Sequence, residues 1–258
     1  MTSQSIQTRI WLEEPEPDND NPFATKKAYC HGYDVYGDMV ANARWVNMLF
    51  LLFQGEAPTA GQADLLEALA IVLANPGPRD PSVHAAMCGG VGGSVSASCL
   101  MAALAVGGGQ LSGGREIYLA MEGWESCGVD IEKWHDYLAA PPACGISGWP
   151  QPEHAPGFDP HGVSTPTSVV QVLDRLADKC PDSRLSWLKS HRKELERTAQ
   201  IPLALSGIAA AAYTELGFAP EQGEMMHLVL RLPGAAAHAL EQRGYGHKKF
   251  PFYPVELE

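Results

Sequence analysis

The chain has 258 residues, of which 45% are hydrophobic, so it is long enough to bury the core of one large domain or of a domain with a smaller lobe. Thirty acidic side chains against eighteen basic ones give a net charge of -12, which argues against a nucleic-acid partner. The longest apolar run, residues 45–53, is too short to span a bilayer, and the N-terminus carries no signal pattern, so we expect a cytoplasmic protein without a membrane partner.

The six cysteines are spread along the chain and form no CxxC pair. This spacing favours reduced thiols over a disulfide framework. We expect neither a metal site nor a tightly bound cofactor.

The first half of the chain predicts an arm followed by helices. Residues 1–28 are polar and rich in proline, which is typical of an N-terminal arm or an extended lead-in. Two helical runs follow, and the segment GEAPT separates them. Thr59, at the end of that segment, is a suitable N-cap for a helix over residues 60–74.

Residues 83–106 are unusually rich in Gly, Ala, Ser and Cys. They could form a loop, because glycine costs about 1 kcal/mol against alanine in a helix. A buried helix whose small side chains allow close backbone approach is favoured, since the run contains neither proline nor charge. The glycine-rich strings GGVGGS and GGGQLSGG look like phosphate-binding loops, but neither follows a strand-like run or fits GxxxxGK[ST].

The second half of the chain predicts loops and then four more helices. Seven prolines between residues 124 and 166 break any long helix there and indicate loops between lobes. Helices are predicted over residues 168–180 and 185–200, and two more from Ile201 onward, where Gly217 and Pro220 supply the stop and restart signals. Pro233 should kink or restart the last helix. No clearly alternating strand pattern is visible, so the sequence predicts an all-α fold.

Four segments, in order, resemble the citrate synthase family, and the resemblance covers about residues 29–245. Their sequence motifs are most similar to those of the citryl-CoA lyase module of ATP-citrate lyases. The segments are HGYDV with LLFQGEAPTAGQ; NPGP with the later GGGQLSGG; PGFDPH at residues 156–161; and ALSG at residues 204–207 with Arg231 and AHALE at residues 237–241.

The resemblance implies a citrate synthase-like fold with a large helical domain and a smaller helical lobe. The large domain would comprise residues 29–112 and 207–258, the lobe residues 113–206, and the site would lie in the cleft. It also implies a homodimer in which the glycine-alanine run from Val83 forms much of the interface.

Three positions depart from the family pattern. Ser112 stands where citrate synthases have a histidine, a residue that the lyase modules also lack, and Pro76 replaces a histidine that contacts substrate. Ser206 stands where the family has the acid that serves as base. A serine hydroxyl cannot accept a proton near neutral pH without an activating partner, and no partner is visible nearby in sequence. Asp159 and Asp80 could each supply the missing carboxylate.

The resemblance also implies roles for the residues that match. His161 is the best candidate for a contact to a keto acid and for a proton donor, although either His161 or Pro160 could occupy the position of the motif's histidine. Gly157 and Phe158 would form part of the substrate loop. Arg231 would hold a substrate carboxylate through its two-pronged donor geometry, or it could form an ion pair within its own helix region.

Two main hypotheses of function follow. The first is an enzyme with an atypical active site that cleaves or forms a carbon-carbon bond in a CoA thioester of a hydroxy polycarboxylate, with a CoA ester and a keto acid or tricarboxylate as its ligands. The second is a catalytically inactive relative that binds CoA esters or regulates a catalytic paralogue. A helical scaffold without a ligand is a third possibility.

Overall fold

The computed structural model describes residues 7–16, 24–140 and 154–251. Within these residues the chain forms eleven α-helices and one small sheet, which confirms the predicted all-α class. The chain divides into two compact units, residues 1–67 and 68–258. The predicted division into a large domain and a smaller lobe stays a prediction.

The first unit contains a three-stranded antiparallel sheet that the sequence did not predict. The strands are β1 (Trp11–Pro15), β2 (Thr25–Cys30) and β3 (Tyr33–Asp34), in the order β1-β2-β3. Four of the five residues of β1 are exposed, so the strand lacks the alternation of apolar and polar residues that would have signalled it. Instead, polar cross-strand contacts accompany the pairing, such as the bond of 3.0 Å from the Tyr29 hydroxyl to Glu14. The absence of a visible strand pattern in the sequence therefore did not exclude this small sheet, and the N-terminal arm over residues 1–28 stays a prediction.

Two short helical turns and two longer helices follow the sheet. They are a π-helical turn (Val35–Met39), α1 (Val40–Asn42), α2 (Trp45–Gln54) and α3 (Ala60–Leu73). The Thr59 hydroxyl accepts a hydrogen bond of 3.2 Å from the amide of Gln62, which confirms the predicted N-cap of α3.

The second unit consists, in its described residues, of helices and the loops that connect them. Its helices are α4 (Pro81–Val91), α5 (Ser96–Gly107), α6 (Gly114–Cys127), α7 (Ile131–Ala139), α8 (Thr167–Lys179), α9 (Arg184–Ala199), α10 (Leu205–Glu215) and α11 (Pro220–Tyr245), with a 3₁₀ turn at His247–Lys249. Helix α10 lies at the centre of the core, where the side chains of residues 208–213 have no exposed surface. Helix α11 packs against α4, α5 and α6.

The glycine-alanine run is helical, as favoured, but it forms two helices instead of one. The break between α4 and α5 falls at Gly92 to Val95, where Gly93 has a φ of 75°. Small side chains let the helices approach closely: a Cβ at Gly90 would clash with the backbone carbonyl of Ala239 on α11. The small residue at position 90 therefore allows the backbones of α4 and α11 to approach closely, as the composition of the run predicts.

Pro233 lies inside α11 without ending it. The following amide, that of Gly234, donates a hydrogen bond of 2.7 Å to the carbonyl of Ala74 outside the helix. Packing of α11 against α4, α5 and α6 therefore accommodates a residue that would disrupt an isolated helix.

The state of the cysteines, of the proline-rich region, and of any membrane span or metal site can be stated for the described residues. All five described cysteines are free, whereas Cys144 lies outside the described residues. Four of the seven prolines of the loop region, Pro141, Pro142, Pro150 and Pro152, also lie outside them. Across the described ranges, no helix has the length and apolar character required to cross a membrane, and no cluster of side chains is suited to holding a metal ion.

Candidate active site

The second unit contains a cavity of about 230 Å³ where several helix ends and loops meet. Its walls come from the end of α3, the loop before α4, the start of α6, the loop before α8, the start of α10 and the middle of α11. The lining residues are Val72, Leu73, Pro76, Asp80, Ser112, Glu116, Phe158, Asp159, Pro166, Val169, Leu203, Ala204, Leu205, Ser206, His227 and Arg231.

The loop that carries the PGFDPH motif is held against the start of α10. Gly157 has a φ of 90°, a conformation that glycine adopts without strain, and its carbonyl accepts a hydrogen bond of 3.0 Å from the amide of Ala204. A Cβ at Gly157 would lie 2.9 Å from the Cα of Gly207, so the two backbones touch. Two residues further on, the amide of Asp159 donates to the carbonyl of Pro202 at 2.8 Å. The loop and α10 therefore form one wall of the cavity.

A buried carboxylate, that of Glu116, lies in this wall. Glu116 stands in the first turn of α6 and is only 2% exposed. It accepts hydrogen bonds from the hydroxyl of Ser206 at 2.8 Å, from the amide of Gly157 at 3.0 Å and from the amide of Ser112 at 2.5 Å. An ionised carboxylate is an acceptor only, and here it meets three donors near a helix N-terminus, where negative charge is favoured.

Sequence reasoning missed Glu116, although it lines the same cavity as Ser206. The Ser206 hydroxyl donates to this carboxylate, so the fold gives Ser206 a hydrogen-bond partner that was not visible nearby in the sequence. The two residues are 90 positions apart, and Glu116 lies in a helical run beside charged neighbours, so only the fold could reveal the pair.

Arg231 of α11 is a buried cation in the cavity wall. Its guanidinium forms an ion pair with Asp80, and the two side chains are 8% and 13% exposed. It also donates to the carbonyl of Ser112 at 3.3 Å and lies 3.4 Å from Nε2 of His227. Asp80 in turn caps α4 by accepting from the amide of Ser82 at 2.9 Å. The arginine is therefore fixed in the cavity wall, with its charge balanced by Asp80.

His227 is neutral at physiological pH. Burial, followed by the neighbouring positive charge of Arg231, lowers the pKa of His227 to about 3. Because the arginine can only donate, Nε2 of His227 acts as the acceptor and the proton is assigned to Nδ1. The ring also meets Tyr213 edge-on, and burial raises the pKa of that phenol above its ordinary value.

The structure brings most of the sequence-predicted site residues together. Those that line the cavity are Ser112, Ser206, Asp159, Phe158, Asp80 and Arg231. Gly157 adjoins it through its bond to Glu116. His161 is exposed and does not line the cavity; its amide donates to the side chain of Asp159 at 2.9 Å. The roles predicted for these residues remain predictions.

Neither a protein-family model nor a curated protein sequence matches the chain. Solved structures do match. A citryl-CoA lyase from Hydrogenobacter thermophilus has a TM-score of 0.70 at 21% identity, over 98% of this chain and 97% of that chain. An ATP citrate lyase from Methanothrix soehngenii, solved with citrate and coenzyme A, has a TM-score of 0.69 at 17% identity, over 96% of this chain and 43% of that one.

A citrate synthase from Thermoplasma acidophilum, solved with carboxymethyl coenzyme A and oxaloacetate, is less similar. Its TM-score is 0.58 at 15% identity, over 84% of this chain and 58% of that chain. At these identities the likeness shows the fold, which is the citrate synthase-like helical fold that the sequence motifs predict.

Proposed function

We propose that the protein makes or breaks a carbon-carbon bond in a CoA thioester of a hydroxy polycarboxylate, as a citryl-CoA lyase does. The observation that carries the proposal is the pairing of the Ser206 hydroxyl with the buried carboxylate of Glu116 in a cavity that also contains Arg231. This site lies within a fold that matches a citryl-CoA lyase along nearly the whole length of both chains.

Such a reaction needs three chemical functions. A base must take a proton from the substrate's tertiary hydroxyl or from the carbon next to the thioester, and donors must stabilise the enolate and the keto acid. A cation must hold the carboxylates of the substrate. Glu116 with Ser206 supports the first function, and Arg231 supports the last.

The volume of the cavity also agrees with this assignment. Sites for drug-sized ligands occupy about 300 to 1,000 Å³, so a cavity of about 230 Å³ suits a small acid better than a whole CoA ester. We therefore assign the acyl end of the thioester to the cavity and the CoA moiety to the surface outside it. Within the predicted site, Phe158 and Asp159 would border the acyl group.

His161 keeps its proposed role as a contact to the keto acid. It follows Asp159 in the loop that borders the cavity, and Asp159 fixes its backbone. Because its ring is exposed, it would reach the substrate only if this loop closed over the ligand. A variant His161→Ala with the kcat and KM of the unchanged protein would remove the residue from the site.

The proposed activity is tested with purified protein and citryl-CoA, together with thioesters of related hydroxy acids. We expect formation of an acyl-CoA and a keto acid, detected by coupled reduction of the keto acid. Arg231→Met should raise KM strongly, whereas Arg197→Met, which removes an exposed arginine of α9, should leave both parameters unchanged. An unchanged protein that turns over none of these thioesters would overturn the proposal.

The alternative is an inactive relative that binds CoA esters or regulates a catalytic paralogue. One observation favours it: Asp80 already balances the charge of Arg231, so a substrate carboxylate would have to compete with this ion pair. Titration calorimetry separates the two hypotheses. Tight binding of a CoA ester without turnover supports the hypothesis of an inactive relative, whereas turnover of the ester supports the hypothesis of an enzyme.

We also propose a homodimer that involves α5. Met101 and Leu104 are exposed on this helix and, three residues apart, share one face. Val95, Val106 and Leu111, which are near its ends, are exposed as well. Exposed apolar residues that are grouped in this way indicate a contact with another protein surface.

A further inference from the structure

We propose that Ser206 relays a proton between the substrate and Glu116, so that a serine-glutamate pair takes the place of a single acid. This inference rests on the proposed function. It starts from two facts: both side chains line the cavity, and the Ser206 hydroxyl donates to Oε1 of Glu116 at 2.8 Å. A hydroxyl that donates to a carboxylate still has lone pairs that can accept a proton from a third group.

The chemical step balances without a further reactant. In the cleavage direction, Ser206 Oγ accepts the proton of the substrate's tertiary hydroxyl while its own proton passes to Glu116 Oε1. The electron pair left on the substrate oxygen forms the carbonyl of the keto acid, and the pair of the breaking carbon-carbon bond moves to the carbon beside the thioester. That enolate carbon then takes back the proton from Glu116 through Ser206, which yields the acyl-CoA and restores the pair.

The other carboxylates that line the cavity have different partners. Asp80 is paired with Arg231 and caps α4. Asp159 accepts the amide of His161 within its own loop. Among the described residues of the cavity wall, Glu116 is therefore the carboxylate bonded to a hydroxyl that also lines the cavity.

A purely structural role for Glu116 must be separated from the relay. Its carboxylate also binds the amides of Gly157 and Ser112, so its removal could loosen the site without touching the chemistry. A loosened site should weaken substrate binding and raise KM, whereas loss of a proton acceptor should lower kcat and change the pH profile.

The experiment compares four variants with the unchanged protein in citryl-CoA cleavage: Glu116→Gln, Ser206→Ala, the double variant Glu116→Gln/Ser206→Asp, and Glu125→Gln as a control. Glu125 is an exposed glutamate on the same helix, α6. Calorimetric binding of CoA and thermal unfolding verify that each variant is folded.

The relay predicts a fall in kcat of at least about 100-fold for Glu116→Gln and of at least about tenfold for Ser206→Ala, with KM within about threefold. The acid limb of the kcat/KM profile should disappear in Glu116→Gln. It should return in the double variant, in which an acid at position 206 meets the substrate directly, together with at least about a tenfold gain in kcat over Glu116→Gln. Glu125→Gln should match the unchanged protein.

The other titratable side chains that line the cavity enter the interpretation of that profile. They are Asp80, Asp159, His227 and Arg231. All four are retained in every variant, so a limb that is lost with Glu116 and regained with the acid at position 206 belongs to the relay.

Three outcomes would overturn the inference, and they differ from failure of the proposed function. Full activity of Glu116→Gln would exclude Glu116 from proton transfer. Full activity of Ser206→Ala with an inactive Glu116→Gln would mean that Glu116 acts directly. Raised KM in Glu116→Gln with unchanged kcat and pH profile would assign it a structural role. Absence of turnover by the unchanged protein would instead overturn both proposals.

Discussion

The hydroxyl of Ser206 lies 2.8 Å from a carboxylate oxygen of Glu116, although 90 positions separate the two residues in the chain. The bond joins the start of α10 to the first turn of α6. Because the same carboxylate also binds the amide of Gly157, it connects the two helices to the PGFDPH loop. Ser206, one of the three positions that depart from the family pattern, therefore lies where two helices and a loop meet.

Gly207→Ala should disrupt the contact between the PGFDPH loop and α10. A Cβ at Gly207 would clash with the carbonyl oxygen of Gly157, so the loop must move away from α10. We expect a loss of about 1 to 3 kcal/mol in the free energy of unfolding, which is typical of overpacking, and a lower rate of the proposed citryl-CoA cleavage. Urea unfolding, followed by tryptophan fluorescence, measures the first effect.

A matched control for this change is Gly244→Ala, since a Cβ at Gly244 in α11 meets no atom within 4 Å. It should leave stability unchanged or raise it by about 0.5 to 1 kcal/mol, because alanine is the better helix former. Equal stabilities of Gly207→Ala and Gly244→Ala would contradict the close contact between the loop and α10.

Asp80→Asn tests the buried ion pair with Arg231. The asparagine can still cap α4, so the change removes the charge partner and leaves the buried guanidinium uncompensated. We expect the free energy of unfolding to fall by about 3 to 5 kcal/mol. Chemical denaturation at neutral pH measures this loss.

The control for the ion pair is Asp174→Asn, which breaks a contact of 3.1 Å to Lys189 between side chains that are 45% and 40% exposed. This change should cost less than about 1 kcal/mol, as exposed pairs do. A loss for Asp80→Asn no larger than this would show that Arg231 finds another partner when Asp80 is neutral.

The sequence predicted the fold through local signals that do not depend on distant contacts. Gly217, with a φ of 82°, follows α10, and Pro220 begins α11, where the stop and restart signals were assigned. Thr59 caps α3 for the same reason, because capping needs only neighbours along the chain. The four motifs that resemble the citrate synthase family then indicated which helical fold these helices form.

Glu116 and strand β1 illustrate what a single sequence could not predict. The proposed role of Glu116 depends on a partner 90 positions away, and no local pattern distinguishes this glutamate from the exposed Glu122 and Glu125 of the same helix. Strand β1 is stabilised by pairing with β2 and carries mostly exposed side chains, so its hydrophobic pattern is absent. Both depend on contacts that only the folded chain creates.

Met101→Arg tests the proposed homodimer. A charge in the middle of the exposed apolar face of α5 would be buried without a partner in an interface, which is costly. We expect the molar mass from light scattering at micromolar concentration to fall from that of a dimer to that of a monomer. Val129→Arg, at an exposed valine between α6 and α7, should leave the mass unchanged. A monomeric unchanged protein would refute the dimer.

His227→Gln should make stability less dependent on pH in the acid range. The folded pKa of His227 is lowered from the ordinary 6.5 to about 3, so between these values the unfolded chain binds a proton that the folded chain does not. The stability that comes from keeping this ring neutral is therefore present above pH 6.5 and is lost as the pH falls toward 3.

His227 contributes at most about 1.4 kcal/mol per pH unit to the slope of the free energy of unfolding against pH. Glutamine does not titrate, so it removes this contribution. Urea unfolding from pH 7 to pH 4 should show a shallower decline of the free energy of unfolding for His227→Gln than for the unchanged protein. Parallel curves for the unchanged protein and His227→Gln would mean that protonated His227 is tolerated beside Arg231, and the neutral histidine assigned to the cavity wall would then be wrong.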